Sequence, residues 1–264
     1  MGPASDSSAL LAARGVAVRR GGRLLLSEVD LDLAPRRLVH LAGRNGEGKT
    51  SLLRVVAGLA RAHAGTVTRR GGWAFVPEKV ALAPQLRGGE WLEALRALRG
   101  AARTDWGAAV EASGLDREVL ARPAAAMSKG MLQRLALVEA FGSGSVVLAL
   151  DEPFSGLDPE GRAWLAERVA AHARGGGAVV LTDHSGAALT QLTLTGRWTI
   201  AGGGCVATDP DAFADGAAAG TRVTVDAVDR AGVRRRDEVG EDEVDAHLRA
   251  LLDAGWHIER VVRA

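Results

Sequence analysis

The chain has 264 residues, of which 47% are hydrophobic and 25% are charged, so it is long enough to bury a sizeable core. Lysine and arginine number 33 and aspartate and glutamate 32, and the formal net charge of +1 makes no electrostatic case for a nucleic-acid partner. The single cysteine, Cys205, excludes an internal disulfide framework and fits a reducing cytoplasm. No apolar run approaches the ~20 residues that cross a bilayer, so we expect any membrane-spanning part to come from another subunit.

The first predicted elements are short strands between residues 10 and 33. Val29 to Leu33 alternates apolar and acidic side chains, as a half-buried strand does. The Gly21-Gly22 pair predicts a turn before this run, and the sequence therefore predicts an N-terminal antiparallel β-subdomain.

The next segment, Gly43 to Thr50, fits the phosphate-loop pattern G-x-x-x-x-G-K-[ST]. An apolar run, residues 38–42, precedes it and a helical pattern, residues 51–57, follows it, which is the strand–loop–helix setting that the pattern requires. Glycines let backbone N–H groups turn inward toward phosphate oxygens, and the positive end of the helix favours the anion. The residues that we expect to bind nucleotide here are Gly43, Arg44, Asn45, Gly46, Glu47, Gly48, Lys49, Thr50 and Ser51.

Lys49 stands out because the chain has only three lysines among its 33 basic residues. A compact ammonium is not interchangeable with a guanidinium at such a loop. We expect Lys49 to reach the β- and γ-phosphates and Thr50 to place its hydroxyl on Mg²⁺.

Beyond the loop, the pattern alternates strands and helices. Residues 65–77 predict a hairpin-like piece, and residues 88–141 are mostly helical with a break near Pro123. Buried strands are predicted at 146–150 and 178–182, separated by a helix from Pro159 to Arg174. This order predicts an α/β fold with a mostly parallel sheet.

A pair of carboxylates, Asp151 and Glu152, follows the first of these buried strands. Ligands of doubly wound sheets bind at the carboxyl ends of the strands, so Asp151 is expected to hold Mg²⁺. Glu152 is expected to polarise the attacking water as general base.

Three further segments carry a family resemblance. Residues 127–134 read Met-Ser-Lys-Gly-Met-Leu-Gln-Arg, residues 155–158 read Ser-Gly-Leu-Asp, and His184 follows the second buried strand. With the phosphate loop and acidic pair, they resemble the signature segment, D-loop and switch histidine of the ATP-binding cassette (ABC) ATPases, in that family's order. The resemblance covers roughly residues 10–205 and implies a P-loop NTPase core with a helical subdomain.

The resemblance implies roles for these segments. Ser128, Lys129 and Gly130 would face the γ-phosphate of ATP held by another subunit, and Asp158 would belong to the same nucleotide site. On its residues alone, Ser128 is also a helix N-cap, and both roles are compatible. His184 would hydrogen-bond the γ-phosphate and sense its loss.

The chain departs from the family pattern at several positions. Glu78 stands where the family usually carries a Mg²⁺-contacting glutamine, so it can still bind Mg²⁺ but adds negative charge. Lys129 and Met131 replace the usual glycine and glutamine, as in a bacterial export-type (ABC-2-like) variant. Arg20 aligns with the usual adenine-stacking tyrosine; it either stacks on the base or is a solvated strand residue.

These residues predict the nucleotide-binding subunit of an ABC transporter, with ATP and Mg²⁺ as its substrate and metal. Its expected partners are a second copy of itself or a homologous cassette and a separate integral membrane subunit, with no nucleic acid. It is expected in the cytoplasm, peripheral on the inner face of the cell membrane. Two alternatives stay open: a soluble ABC-type ATPase that acts on a protein complex, and a regulatory module that binds ATP without turnover.

The region after about residue 208 changes character. A strand at 221–225, a helix at 244–254 and a strand at 257–262 predict a small β-α-β appendage. The charged cluster from Arg234 to Asp245 is expected to be a solvated linker. The predicted domains are therefore 10–207 for the ATPase and 208–264 for the appendage, whose role stays open among dimerisation, regulation and capping of the sheet.

Overall fold

The computed structural model describes residues 9–100, 104–183, 189–208, 222–229, 231–240 and 243–263. Packing of Cα atoms divides the chain into two compact units. The first unit comprises Met1–Ala34, Val39–Arg69 and Leu194–Ala264, and the second comprises Pro35–Leu38 and Arg70–Thr193.

The described residues form twelve strands and six α-helices. The strands are β1 (Leu11–Arg20), β2 (Arg23–Leu33), β3 (Leu38–Ala42), β4 (Ala64–Arg69), β5 (Trp73–Val76), β6 (Val147–Leu150), β7 (Ala178–Leu181), β8 (Gly196–Ala201), β9 (Gly204–Thr208), β10 (Arg222–Val228), β11 (Arg234–Gly240) and β12 (His257–Arg263). The helices are α1 (Lys49–Val56), α2 (Gly88–Arg99), α3 (Trp106–Ala112), α4 (Lys129–Gly142), α5 (Pro159–Arg174) and α6 (Val244–Asp253). None of the helices in this part of the chain combines the length and the apolar character needed to cross a membrane.

The first unit contains the predicted antiparallel subdomain. β1 pairs with β2 and β4 in a sheet of order β2-β1-β4, and Gly21 and Gly22, both with positive φ, turn the chain between β1 and β2. The alternation in β2 buries Val29, Leu31 and Leu33 and exposes the acidic residues between them. The expectation for this segment is confirmed.

The phosphate loop of the first unit leaves the end of β3. β3 is buried along its whole length and pairs in parallel with β8, which continues into the antiparallel partner β9. Because β3 is buried on both faces, its sequence does not alternate, and it is apolar apart from the buried His40.

The second unit contains a parallel sheet of order β5-β6-β7. All four residues of β6 and of β7 are buried, as expected for strands with helices on both faces. Within the same unit, the Val179 N–H donates to Arg37 O at 2.8 Å, and the Arg36 N–H donates to Gly177 O at 2.7 Å. The α/β fold with mostly parallel pairing is therefore observed.

The helical part of the second unit has its own apolar core. Residues from α2, α3 and α4 meet there, and the break at Pro123 lies between two short 3-10 turns. The fully or nearly buried members are Leu92, Trp106, Val110, Val119, Met127, Leu135 and Val138. This core fixes α4, whose first turn carries the predicted signature residues.

The predicted hairpin at residues 65–77 is wrong. β4 pairs antiparallel with β1, whereas β5 pairs in parallel with β6, so the two strands belong to different sheets. The glycine-containing link from 70 to 72 looks like a hairpin turn locally, but strand pairing is decided by distant partners.

The C-terminal region of the first unit is a three-stranded antiparallel sheet, β11-β10-β12, with α6 packed on it. The expected linker at 234–245 is wrong over its first part, because Arg234–Gly240 is the edge strand β11. Because β11 carries charged side chains on both faces, its sequence has no apolar alternation that would predict a strand. Such charges are typical of edge strands, where they prevent pairing with further strands. The appendage is thus β-β-α-β, while its predicted boundary at 207/208 stays a prediction.

The appendage packs on the β8–β9 turn. Ala201 belongs to the same buried cluster as Val223, Leu248 and Ile258. Gly202 has a φ of +55°, and a Cβ at this position would overlap the carbonyl oxygen of Leu252 at the end of α6. The close approach therefore requires glycine there.

Candidate nucleotide-binding site

The phosphate loop in the first unit has the backbone that an anion cradle needs. Gly48 has a φ of +110° and caps α1, which begins at Lys49. At Gly43, with a φ of +153°, an added Cβ would lie 3.1 Å from the Ile200 Cβ, so a side chain would fit only if its neighbours shifted by a few tenths of an ångström. The positive φ explains the glycine at both positions, and tight packing adds to it at Gly43.

Lys49 and Glu47 lie within this loop. Lys49 is only 6% exposed, and its Nζ donates to Gly43 O at 2.7 Å and to Arg44 O at 3.2 Å. The Glu47 carboxylate accepts a hydrogen bond from the Arg44 N–H. One backbone amide of the loop therefore already holds an anionic oxygen, which is the chemistry that a phosphate would offer it.

The acidic pair in the second unit follows β6 and is buried, with Asp151 3% and Glu152 5% exposed. The Thr182 hydroxyl, at the end of β7, donates to Asp151 Oδ1 at 2.9 Å. The same hydroxyl accepts from the Glu152 N–H at 2.8 Å. One threonine thus holds both acidic residues in place.

Glu152 has a φ of +50°, an unfavourable value for a residue with a side chain. Such conformations are found at functional sites, where surrounding structure imposes them. β5 pairs in parallel with β6, with Val76 opposite Leu150, so Glu78 leaves the same end of the sheet as Asp151 and Glu152. These three carboxylates offer hard oxygen ligands, the kind that Mg²⁺ prefers.

The predicted signature segment begins α4. Ser128 is the N-cap, and its hydroxyl accepts from the Met131 N–H at 3.2 Å. Lys129 Nζ donates to Ser155 Oγ at 3.0 Å. A Cβ on Gly130 would lie 2.6 Å from Gly156 O, so the signature segment and the predicted D-loop of the same chain are in direct contact.

Asp158 closes the D-loop as the N-cap of α5. Its Oδ1 accepts from the Gly161 N–H at 2.7 Å and pairs with the Arg134 guanidinium. The hydrogen bond from Gly161, and after it the Arg134 charge, hold the pKa of Asp158 below its usual range.

For the remaining predicted site residues that it describes, the structure gives a position and an exposure but adds no evidence for a role in the site. His184 lies outside the described residues. Arg20 is exposed at the end of β1, beside the Gly21-Gly22 turn. Asn45 is exposed on the loop, while Thr50 and Ser51 lie in the first turn of α1.

Similarity to known proteins agrees with this arrangement. A family profile described as "ABC transporter" matches residues 26–155. The cytochrome c biogenesis ATP-binding export protein CcmA of Novosphingobium aromaticivorans is 42% identical over 183 residues, which are 69% of this chain and 92% of that protein. This chain belongs to the ABC transporter family. Its fold is therefore that of the family's ATP-binding cassettes, and members of the family are ATPases.

Other relatives extend the comparison of this ABC protein. The zinc import ATP-binding protein ZnuC of Cereibacter sphaeroides is 42% identical over 159 residues, covering 58% of this chain and 63% of that protein. The structure of an ATP-binding subunit of an ABC transporter superposes with a TM-score of 0.70 at 23% identity, over 76% of this chain and 90% of the other. A nucleotide-free ATP-binding cassette superposes with a TM-score of 0.63 at 15% identity, over 76% and 91%. These two likenesses show the cassette fold.

Two residues of this ABC cassette were missed by sequence reasoning. Thr182 directly follows β7, as Asp151 follows β6, and a hydroxyl at that strand end was the available signal. Arg134 lies inside the quoted signature segment, but its helical position on an apolar helix gave no sign of its polar contacts. Both residues act on other protein groups, and only tertiary structure brings those groups together.

Proposed function

We propose that this chain is the ATP-hydrolysing subunit of an ABC transporter, coupling ATP binding and hydrolysis at a dimer interface to transport through a separate membrane subunit. The observation that carries the proposal is 42% identity across 92% of an ATP-binding export protein. The chain also has the phosphate loop, signature segment, acidic pair, D-loop and switch histidine in the family's order. Relatives named for export and for import both occur, and the Lys129 signature favours export.

The phosphate loop would hold ATP. Backbone N–H groups of residues 43–51 would bind the phosphates, and Lys49 would exchange its carbonyl partners for β- and γ-phosphate oxygens. The Glu47 carboxylate would leave the Arg44 N–H to the phosphate. Arg20 would lie against the adenine.

The acidic residues would serve hydrolysis. Glu152 would take the proton of the attacking water, and the Thr182 hydroxyl would keep its backbone in the required conformation. Thr50, Glu78 and Asp151 would hold Mg²⁺, which neutralises phosphate charge when bound. His184 would hydrogen-bond the γ-phosphate.

Each ATP would also need a second cassette. Ser128, Lys129 and Gly130, with Asp158 beside them, would face the γ-phosphate held by a second copy or a homologous cassette. A hydroxyl, a cation and helix N-terminal N–H groups suit an anion. Hydrolysis would then reopen the dimer and move the membrane subunit, with the cassette in the cytoplasm at the inner face of the membrane.

The test of this proposal uses Glu152→Gln. The variant keeps the shape of the side chain but cannot accept the proton, so turnover should fall at least about a hundredfold while ATP binding persists. Size-exclusion mass with and without Mg-ATP should show a monomer that becomes a dimer only with nucleotide. ATPase turnover of the wild type is the matched reference.

The outcomes discriminate between the functions. A Glu152→Gln protein that hydrolyses ATP at the wild-type rate would show that Glu152 is not the base. A wild type that binds ATP without turnover would favour a regulatory module. Co-purification with a soluble complex instead of a membrane protein would favour an ATPase without transport.

A second substitution tests the phosphate loop. Lys49→Ala removes the ammonium that the loop holds, so ATP affinity should fall at least about tenfold through the lost charge-assisted contacts. Fluorescent-nucleotide titration measures this, with Lys79→Ala as the control for losing a lysine elsewhere. Unchanged affinity in Lys49→Ala would contradict the assignment of the loop.

A further inference from the structure

Arg134 is a buried cation in the middle of the second unit. It projects from α4, and its side chain is 6% exposed. Nη1 donates to Ser113 O at 3.0 Å, at the end of α3, and Nη2 pairs with the Asp158 carboxylate, at the start of α5. One guanidinium therefore connects three helices, which its planar fork of donors allows and a lysine ammonium does not.

Space for this guanidinium is made by two glycines. A Cβ at Gly161 would lie 2.5 Å from Arg134 Nη2, and one at Gly114 would lie 2.9 Å from Nη1. Gly161 is in the first turn of α5, where conformation alone does not require glycine. The absence of a side chain there is accounted for by the guanidinium that fills the space.

The Asp158 carboxylate makes two structural contacts. Its Oδ1 accepts both from Arg134 and from the Gly161 N–H, so it pairs the buried cation and caps α5. Its side chain is 60% exposed, so its replacement leaves no buried cavity.

Residues 155–158, which Arg134 contacts through Asp158, are joined to the proposed general base Glu152 by a hydrogen-bonded turn. The Ser155 N–H donates to Glu152 O at 3.0 Å, closing a turn that joins Glu152 to residues 155–158. Lys129 and Gly130 touch the same segment through Ser155 and Gly156. The first turn of α4, the segment 155–158 and Glu152 are thus linked through consecutive contacts.

We propose that Arg134 is a positioning residue for hydrolysis, whose guanidinium holds segment 155–158, and with it Glu152, in register with the signature segment. The proposal rests on the proposed ATPase function and adds a residue that touches neither nucleotide nor water. A misplacement of about 1 Å at a reacting group can cost about a hundredfold in rate, so the fork affects turnover more than binding.

Two substitutions break the contact from opposite sides. Arg134→Lys keeps the positive charge and loses the fork. Asp158→Ser keeps a good N-cap and loses the carboxylate. Each should lower kcat about tenfold or more while the Kd of ATP changes less than about twofold. Arg174→Gln, on an exposed side chain of α5, is the control and should match the wild type.

The double variant separates positioning from a direct role of Asp158. If both residues act through one contact, Arg134→Lys with Asp158→Ser should be no slower than the slower single variant. Losses that multiply in the double variant would overturn the proposal, as would a wild-type kcat in Arg134→Lys. If the Arg134 variant does not fold, amide exchange of residues 155–157 in Asp158→Ser replaces it, because that readout does not depend on any contact of Asp158 with nucleotide.

Hydrogen exchange gives a readout independent of turnover. Amides of residues 155–161 should exchange at least about fivefold faster in Arg134→Lys than in the wild type, because the segment loses its anchor. Unchanged exchange would overturn the inference. A wild type without ATPase activity would remove the proposed function, and the exchange result would still show whether Arg134 holds the segment.

Discussion

Ser128 has one observed role, as a helix N-cap, and one proposed role, at the nucleotide of a second cassette. It caps α4 by accepting from the Met131 N–H, and in the proposed dimer it would face the γ-phosphate of the second copy. Since capping needs only an acceptor oxygen, substitutions can preserve it while changing the charge. The two roles can therefore be separated experimentally.

We predict that Ser128→Asp abolishes most ATPase activity while Ser128→Asn retains much more of it. Both side chains are good N-caps, so the free energy of unfolding should stay within about 1 kcal/mol of the wild type. Only aspartate places a negative charge against the phosphate, which is repulsive. Turnover and thermal unfolding measure the two effects, and equal turnover of the two variants would leave Ser128 with the capping role alone.

At the scale of elements, α4 and α5 meet through an aromatic and histidine cluster. Phe141 contacts Trp164 edge-to-face with ring centroids 5.8 Å apart, and His172 lies 6.4 Å from the Phe141 ring. His172 Nε2 lies 3.0 Å from Val146 O, which suits a neutral ring that donates there. Burial, and after it the Arg168 charge, lower the pKa of His172.

This cluster predicts acid sensitivity of the packing between α4 and α5. Between the lowered folded pKa of His172 and its ordinary value of about 6.5, the unfolded chain binds more protons than the folded one. Stability from the neutral ring is thus present above about pH 6.5 and is lost as pH falls toward the folded pKa. His172→Gln can still donate to Val146 O but does not titrate.

We therefore expect the difference in Tm between about pH 7.5 and about pH 5.5 to be smaller in His172→Gln than in the wild type. Thermal unfolding followed by circular dichroism measures it. His63→Gln, at an exposed position, is the control. A pH dependence as large in His172→Gln as in the wild type would assign the acid sensitivity to other groups.

Elements also differ in how far local sequence predicts them. α5 spans Pro159 to Arg174 as its proline start and glycine end predict, because caps act within a few residues. β4 was expected to pair with β5 and instead pairs with β1, because pairing depends on partners far along the chain. The charged strand β11 gave no apolar alternation to detect.

At the scale of the whole molecule, each ATP site of the proposed dimer is composite: it needs the phosphate loop of one subunit and the signature segment of the other. One chain carries both of these parts. A mixed dimer of Lys49→Ala and Ser128→Asp would have one intact site, formed by the Ser128→Asp phosphate loop and the Lys49→Ala signature. Random mixing of the two inactive proteins should restore roughly a quarter of wild-type turnover if the sites act independently. Activity no greater than the sum of the separate variants would contradict independent composite sites.

The sequence by itself determined the family, the phosphate loop and the acidic pair, because phosphate and Mg²⁺ chemistry demands particular residue types at short spacing. Buried strands and capped helices were also predictable, since burial and capping leave local marks. Only the tertiary structure decided that Thr182 holds Asp151 and Glu152, that Arg134 connects three helices, and that β11 completes the appendage. Each of these depends on groups more than 20 residues apart, or on an edge pairing with no local pattern, so no short window of sequence contains it.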